Sequence, residues 1–153
     1  MRNQKKLLVE QLDRKILPFI EAGKIQMPDK GWIRSIRTTL NMTLEQLGHK
    51  LCITRQGVRR IEESEASGTI TINSLKKVGS ALELRLIYGF IPVHGSVEYL
   101  IDHKAKDLAE KIVLRASHNM MLEDQTTGEE NIKMAIHELA LEIKRELRRS
   151  LWD

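Results

Sequence analysis

The chain has a single cysteine, Cys52, among 153 residues, so no disulfide can form within it. Aromatic residues are only 4%, and β-branched runs are short, which favours an all-α protein over a sheet. No run of ~18 apolar residues occurs, so no membrane span is expected. The opening Met1-Arg2-Asn3-Gln4-Lys5-Lys6 leads into an apolar stretch interrupted by Glu10, Gln11 and Asp13. That pattern does not read as a secretory leader, and the expected compartment is the cytoplasm. No Ser/His/Asp order, glycine-rich phosphate loop or pair of catalytic carboxylates stands out, so neither an enzyme nor a cofactor is expected. Five histidines are present, at 49, 94, 103, 118 and 137. His49 and Cys52 stand three apart at a helix end and could share a metal, but a structural zinc site wants four ligands and no second close pair accompanies them. No metal is expected. There is no internal repeat and no low-complexity segment.

What is present is a soluble composition with one local excess. Hydrophobic residues make up 41% and charged residues 30%, enough for a real core in one or two domains. The formal charge is +4. Residues 31–62 hold Arg34, Arg37, Lys50, Arg55, Arg59 and Arg60 against only Glu45 and Glu62, so the excess sits there and the rest of the chain is close to neutral. A basic patch on one module is the footprint of a polyanion partner.

The same region carries the clearest pattern. Thr43 can cap a helix, and Gln46 three residues on completes a capping box. Leu44, Leu47, Gly48 and Leu51 make one apolar, small-residue stripe. Ile53 lies in a tight turn, Thr54 caps a second helix, and Val58 and Ile61 point inward. Arg55, Gln56, Arg59 and Arg60 are left on or near the outward face. Arginine to guanine and glutamine to adenine are the bidentate pairings that major-groove geometry favours. The spacing of Thr43, Gln46-Leu47-Gly48, Leu51, Ile53-Thr54, Val58 and Ile61-Glu62 resembles the Xre (Cro/repressor-like) helix-turn-helix family. That family usually has glycine where this chain has Cys52, a turn position better suited to glycine. The resemblance implies a lambda-repressor-like domain of five helices at 28–83 and double-stranded DNA as partner. Arg55, Gln56 and Arg60 are then the expected base readers. Gly57 is expected to allow close approach to DNA, and Arg37, Thr43, Thr54, Arg59 and Asn73 to meet the backbone, which positions without specifying.

Along the rest of the chain, residues 4–22 read as a helix with Leu8, Leu12, Ile16 and Phe19 or Ile20 on one side, kinked or ended by Pro18. Pro28-Asp29-Lys30-Gly31 is a break. A helix from Trp32 to Leu40 follows, with Ile33, Ile36 and Leu40 inward and Arg34 and Arg37 outward. Asn73 or Ser74 starts another through Leu82, with Leu75, Val78 and Leu82 inward. Residues 84–93 read as a strand. An unpaired apolar edge is a liability, and pairing with a second copy across a two-fold axis is the simplest remedy, through Leu86, Ile87, Tyr88 and Phe90. The alternative is an extended linker. Residues 96–122 form a long helix with Ile101, Ala105, Leu108, Ile112 and Ala116 in register. After a loop at 124–128, a last helix runs to Leu151 with Ile132, Ile136, Leu139, Ala140, Ile143 and Leu147 on one face. The expected plan is an N-terminal helix or arm at 1–27, the DNA-binding domain at 28–83, a dimerising strand at 84–95, and a helical hairpin at 96–153. The hairpin would bury Leu108, Ile112, Leu139 and Ile143 and leave Met120, Met121 and Trp152 for a partner.

A wider likeness involves Gln11-Leu12-Asp13-Arg14-Lys15, Pro18-Phe19, Gly31-Trp32-Ile33-Arg34-Ser35-Ile36-Arg37, Gly68-Thr69-Ile70-Thr71, Leu86-Ile87-Tyr88, Met121-Leu122-Glu123-Asp124-Gln125 and Leu151-Trp152-Asp153. This arrangement is similar to the family called mobile mystery protein A. The resemblance implies an Xre-type repressor that acts as the antitoxin-like partner of a Fic-domain protein on mobile DNA. Thr126, Glu130 and Asn131 fit the inhibitory pattern of Fic antitoxins, in which the glutamate fills space needed by the ATP γ-phosphate. A capping box of Thr127 and Glu130 is the competing reading of the same residues. The expected function is a sequence-specific, homodimeric DNA-binding repressor. Two alternatives stay open: a module that chiefly neutralises a Fic adenylyltransferase, and a phage-type repressor with no toxin partner.

Overall fold

The computed structural model describes residues 2–122 and 128–153. Among them are seven α-helices: α1 (Arg2–Ala22), α2 (Trp32–Thr39), α3 (Leu44–Leu51), α4 (Arg55–Ala66), α5 (Ile72–Ala81), α6 (Val97–Leu122) and α7 (Glu129–Glu146), followed by a 3-10 turn at Arg149–Trp152. None of these helices is long and apolar enough to cross a membrane. The chain forms two compact units, one of Gly23–Gly89 and one joining Met1–Ala22 to Phe90–Asp153. The N-terminal helix, expected as a helix or arm at 1–27, groups with the C-terminal helices, and the unit at Gly23–Gly89 holds four helices where five were expected.

In Gly23–Gly89, α2 to α5 close around buried Ile33, Leu47, Val58 and Val78, with Leu44, Leu51, Ile61, Leu75 and Leu82 packed at the margin. Local sequence sets each helix start. Thr43, Thr54 and Thr71 each accept a hydrogen bond from the amide three residues on, a cap that contributes about 1 kcal/mol. Thr71 is the cap of α5, which starts at Ile72, just before the expected Asn73 or Ser74. The start of α2 has no such side chain, because Gly31 precedes it at φ 83. Glu65 of α4 supplies the acceptor instead, taking the amides of Trp32 and Ile33 at 2.9 and 2.8 Å. Leu40, expected inward, is exposed, because α2 ends at Thr39 and Leu40 is already its cap.

The second unit packs α1 and α7 against α6. Its core is Ile101, Ala105, Ala109, Ala140, Ile143 and Leu151. Three alanines among these six let α6 and α7 approach closely. Asp13 of α1 accepts the amides of Val97 and Glu98 at 2.7 and 3.2 Å, and Ser96 accepts that of Tyr99 at 3.0 Å, so the start of α6 is capped twice over. That bond sets the rotation of α1. Val9 packs on the core and Asp13 and Ile16 are half-buried, while Leu8 and Leu12, expected on the apolar stripe, are exposed. Pro18 does not end α1, which runs on to Ala22. One lost donor is outweighed by packing along the helix.

Three further expectations are corrected. Ile112 is exposed, since the buried cluster lies around Ile101–Ala109 and the distal part of α6 extends past it. The last helix stops at Glu146: Leu147 turns left-handed at φ 49, and the 3-10 turn that follows returns Leu151 to the core. Finally, no strand forms among the described residues. Residues 84–92 are irregular, because a ladder needs a second strand and no described segment supplies one. Leu86 is half-buried there, whereas Ile87, Tyr88 and Phe90 are exposed, Phe90 to 87%.

Candidate nucleic-acid interface

The site is built from α3, a three-residue turn and α4. Thr43 and Gln46 form the expected capping box: the Gln46 amide donates to Thr43 Oγ1 at 3.1 Å, and the Thr43 amide donates to Gln46 Oε1 at 2.8 Å. Cys52 closes α3 in the left-handed region, φ 55 and ψ 38, the conformation that favours glycine. The chain then folds back on α3, with the Ile53 amide donating to Gly48 O at 2.9 Å. A Cβ on Gly48 would stand 2.7 Å from Ile53 O, so only glycine fits. The missing side chain of Gly57 faces Ile53, whose atoms would lie 3.3 Å from a Cβ. The turn itself therefore calls for a small residue at 57. Thr54 then caps α4 by accepting the Gly57 amide at 3.1 Å.

Val58 is fully buried under α4 and Glu62 nearly so. Arg55, Gln56, Arg59 and Arg60 are exposed. Arg55 approaches Glu45 at 4.0 Å, but both side chains are well exposed, and such a pair holds an arginine loosely. Neither Arg59 nor Arg60 has a carboxylate within ion-pair distance among the described residues, so both present free cations. Glu63 also lies on the outer side of α4. A carboxylate there repels phosphate, which restricts the usable face to the first two turns of the helix.

Arg37, expected on the outer face, is folded inward. Its Nε and Nη2 donate to the two carboxylate oxygens of Glu62 at 2.6 and 3.2 Å, and its Nη1 donates to Met42 O at 2.9 Å. The two side chains are only 11% and 7% exposed. The pair ties α2 to α4 and sets the pose of α4. Asn73 is exposed in the first turn of α5. Lys50, at the end of α3, meets Lys76 and Lys77 of α5 around a shallow hollow. Sequence reading missed this trio. Charge counting could have flagged its members but not their meeting. The charge divides with the units: Gly23–Gly89 holds eleven Lys and Arg against six Asp and Glu, leaving fourteen against fifteen elsewhere.

Glu130 and Asn131 are exposed in the first turn of α7. The residue before α7 is Gly128, and among the described residues no side chain caps that helix start. Thr126 and Thr127 lie outside the described residues. Among the described residues, no three His, Cys, Asp or Glu side chains gather into a metal-binding group.

Two short helices at a tight left-handed turn, the second with a cationic outer face, define the DNA-binding class of helix-turn-helix proteins. Residues 33–88 match the helix-turn-helix family model, so this part of the chain is a helix-turn-helix domain. No curated protein and no solved structure matches the chain.

Proposed function

We propose that the protein is a sequence-specific DNA-binding repressor that acts as a homodimer on a pseudo-palindromic operator with half-sites about one helical turn apart. The observation that carries this reading is the outer face of α4, where Arg55, Gln56 and Arg60 stand exposed on a helix whose opposite face is locked by Val58 and the Arg37–Glu62 pair. These three side chains read bases. Thr43, Thr54, Gly57, Arg59 and Asn73 meet the phosphates at or near helix starts, where the helix dipole favours anions. Lys50, Lys76 and Lys77 extend that contact. Arg37 holds Glu62 beneath α4 and does not reach the DNA. The exposed apolar side chains of Ile87, Tyr88 and Phe90 support a dimer contact in the segment after α5.

Binding assays on specific and random duplexes test the roles. Arg55→Ala and Arg60→Ala should each relax preference at one position per half-site, at roughly 1–3 kcal/mol. Arg59→Ala should weaken binding evenly on every sequence and lower the salt slope by about 1. Equal losses on both duplexes for all three variants would overturn the assignment.

A second reading, inhibition of a Fic-domain partner, draws on the family resemblance and on the exposure of Glu130 and Asn131 at the start of α7. On that reading Glu130→Ala restores nucleotide transfer by the partner while leaving operator binding intact; continued inhibition by that variant would discard it.

A further inference from the structure

The unit formed by α1, α6 and α7 is close to electroneutral and stands outside the helix-turn-helix match, yet one of its helices carries an unused, patterned face. α7 buries Ala140 and Ile143. On its opposite side Met134, Glu138, Leu141 and Arg145 follow at spacings of four, three and four, which places them in one stripe. Met134 and Leu141 are 63% and 54% exposed. Glu138 and Arg145 are exposed and have no ion-pair partner among the described residues. Their neighbours are committed: Lys144 holds Asp102 and Glu98, and Glu142 holds Arg148. Glu138, Leu141 and Arg145 themselves line one side of a groove of about 760 Å³, which Val9, Ile101 and Leu147 also line and which Lys5, Lys6 and Glu10 of α1 share.

We propose that this stripe is a self-pairing surface, on which α7 of a second copy lies antiparallel about a two-fold axis passing at Leu141. Glu138 stands three residues before Leu141 and Arg145 four residues after it, about 10 Å apart along the helix. A two-fold at Leu141 reverses the second stripe, so each Glu138 comes within about one residue rise, ~1.5 Å along the axis, of level with the Arg145 of the other copy. Two charge-assisted contacts then flank an apolar centre. Parallel alignment in register would set glutamate on glutamate and arginine on arginine. An isologous interface requires this kind of self-complementarity, in which one residue meets another and the reverse holds. A groove with an apolar floor beside the axis adds area for burial. The inference rests on the homodimer proposed above and gives it a contact distinct from residues 84–92.

Sedimentation of the full chain at micromolar concentration tests it, using the unaltered protein, Glu138→Arg, Arg145→Glu and the doubly exchanged variant. Like charges brought together at an interface repel, so each single exchange should weaken dimerisation at least about tenfold. The double exchange should recover most of the loss, because it restores both opposite-charge contacts with their signs reversed. Circular dichroism checks that all four proteins keep their helix content. A dimer indifferent to the single exchanges overturns the stripe and leaves the dimer intact. Single losses with no recovery in the double variant also overturn it. A monomeric unaltered protein overturns both the stripe and the dimer, while half-site DNA binding, measured on the same preparations, tests the recognition helix separately.

Discussion

Arg37 shows how the same residue type serves two ends within one small domain. Arg55, Arg59 and Arg60 are exposed on α4, but Arg37 is spent on Glu62 beneath it. Removing one member of a buried pair leaves an uncompensated charge, so Arg37→Ala should lower stability by roughly 3–5 kcal/mol in urea titration. DNA binding should fall only as far as the folded fraction does at temperatures where the variant remains native. The turn gives a second pair of expectations. Gly48→Ala drives a methyl into the Ile53 carbonyl and should cost about 1–3 kcal/mol. Cys52→Gly relieves a left-handed side-chain residue and should raise stability by about 1 kcal/mol, visible as a higher thermal midpoint. The threonine caps at 43 and 54 and the glycine-like turn at Cys52 were legible because each depends on residues three or four apart. The Arg37–Glu62 pair joins residues 25 apart in sequence, and nothing in the local pattern distinguishes it from an outward arginine.

At the scale of elements, helices were easier to read than their rotations and ends. The apolar residues of α1 fit a stripe through Leu8 and Leu12 as well as one through Val9 and Ile16. The choice is made by Asp13, which must face the start of α6 to take two amides. Asp13→Ala strips those amides of their acceptor and should cost about 1–2 kcal/mol, read as a lower urea midpoint with little change in slope. The end of α7 was misread for a related reason. Leu147 and Leu151 continue the helical period, but Leu147 reverses the backbone to bring Leu151 into the core, a tertiary demand that periodicity does not carry. Residues 84–92 have strand-like composition without a partner among the described residues, and composition alone cannot provide one.

At the scale of the whole molecule, the excess positive charge belongs to the unit that holds the helix-turn-helix, and the other unit is balanced. That partition fits a division between DNA contact and assembly. A balanced surface adds little to nonspecific attraction for phosphate, which depends on the cations that displace counterions. On the proposed homodimer, affinity for a full operator comes from joining two DNA-binding units. Once one half-site is held, the second binds at an effective concentration in the millimolar range, which raises avidity by about 10²–10⁴ without any new contact. The full chain should therefore bind a two-half-site operator about 10²–10⁴ times more tightly than a single half-site. Inserting about five base pairs between the half-sites, half a helical turn, should erase most of that gain, because the second half-site then faces the opposite side of the duplex. Fluorescence anisotropy on the three duplexes at one salt concentration measures both effects. Equal affinity on the full and half operators would mean that each chain binds DNA alone, and the role of the balanced unit in assembly would fall with it.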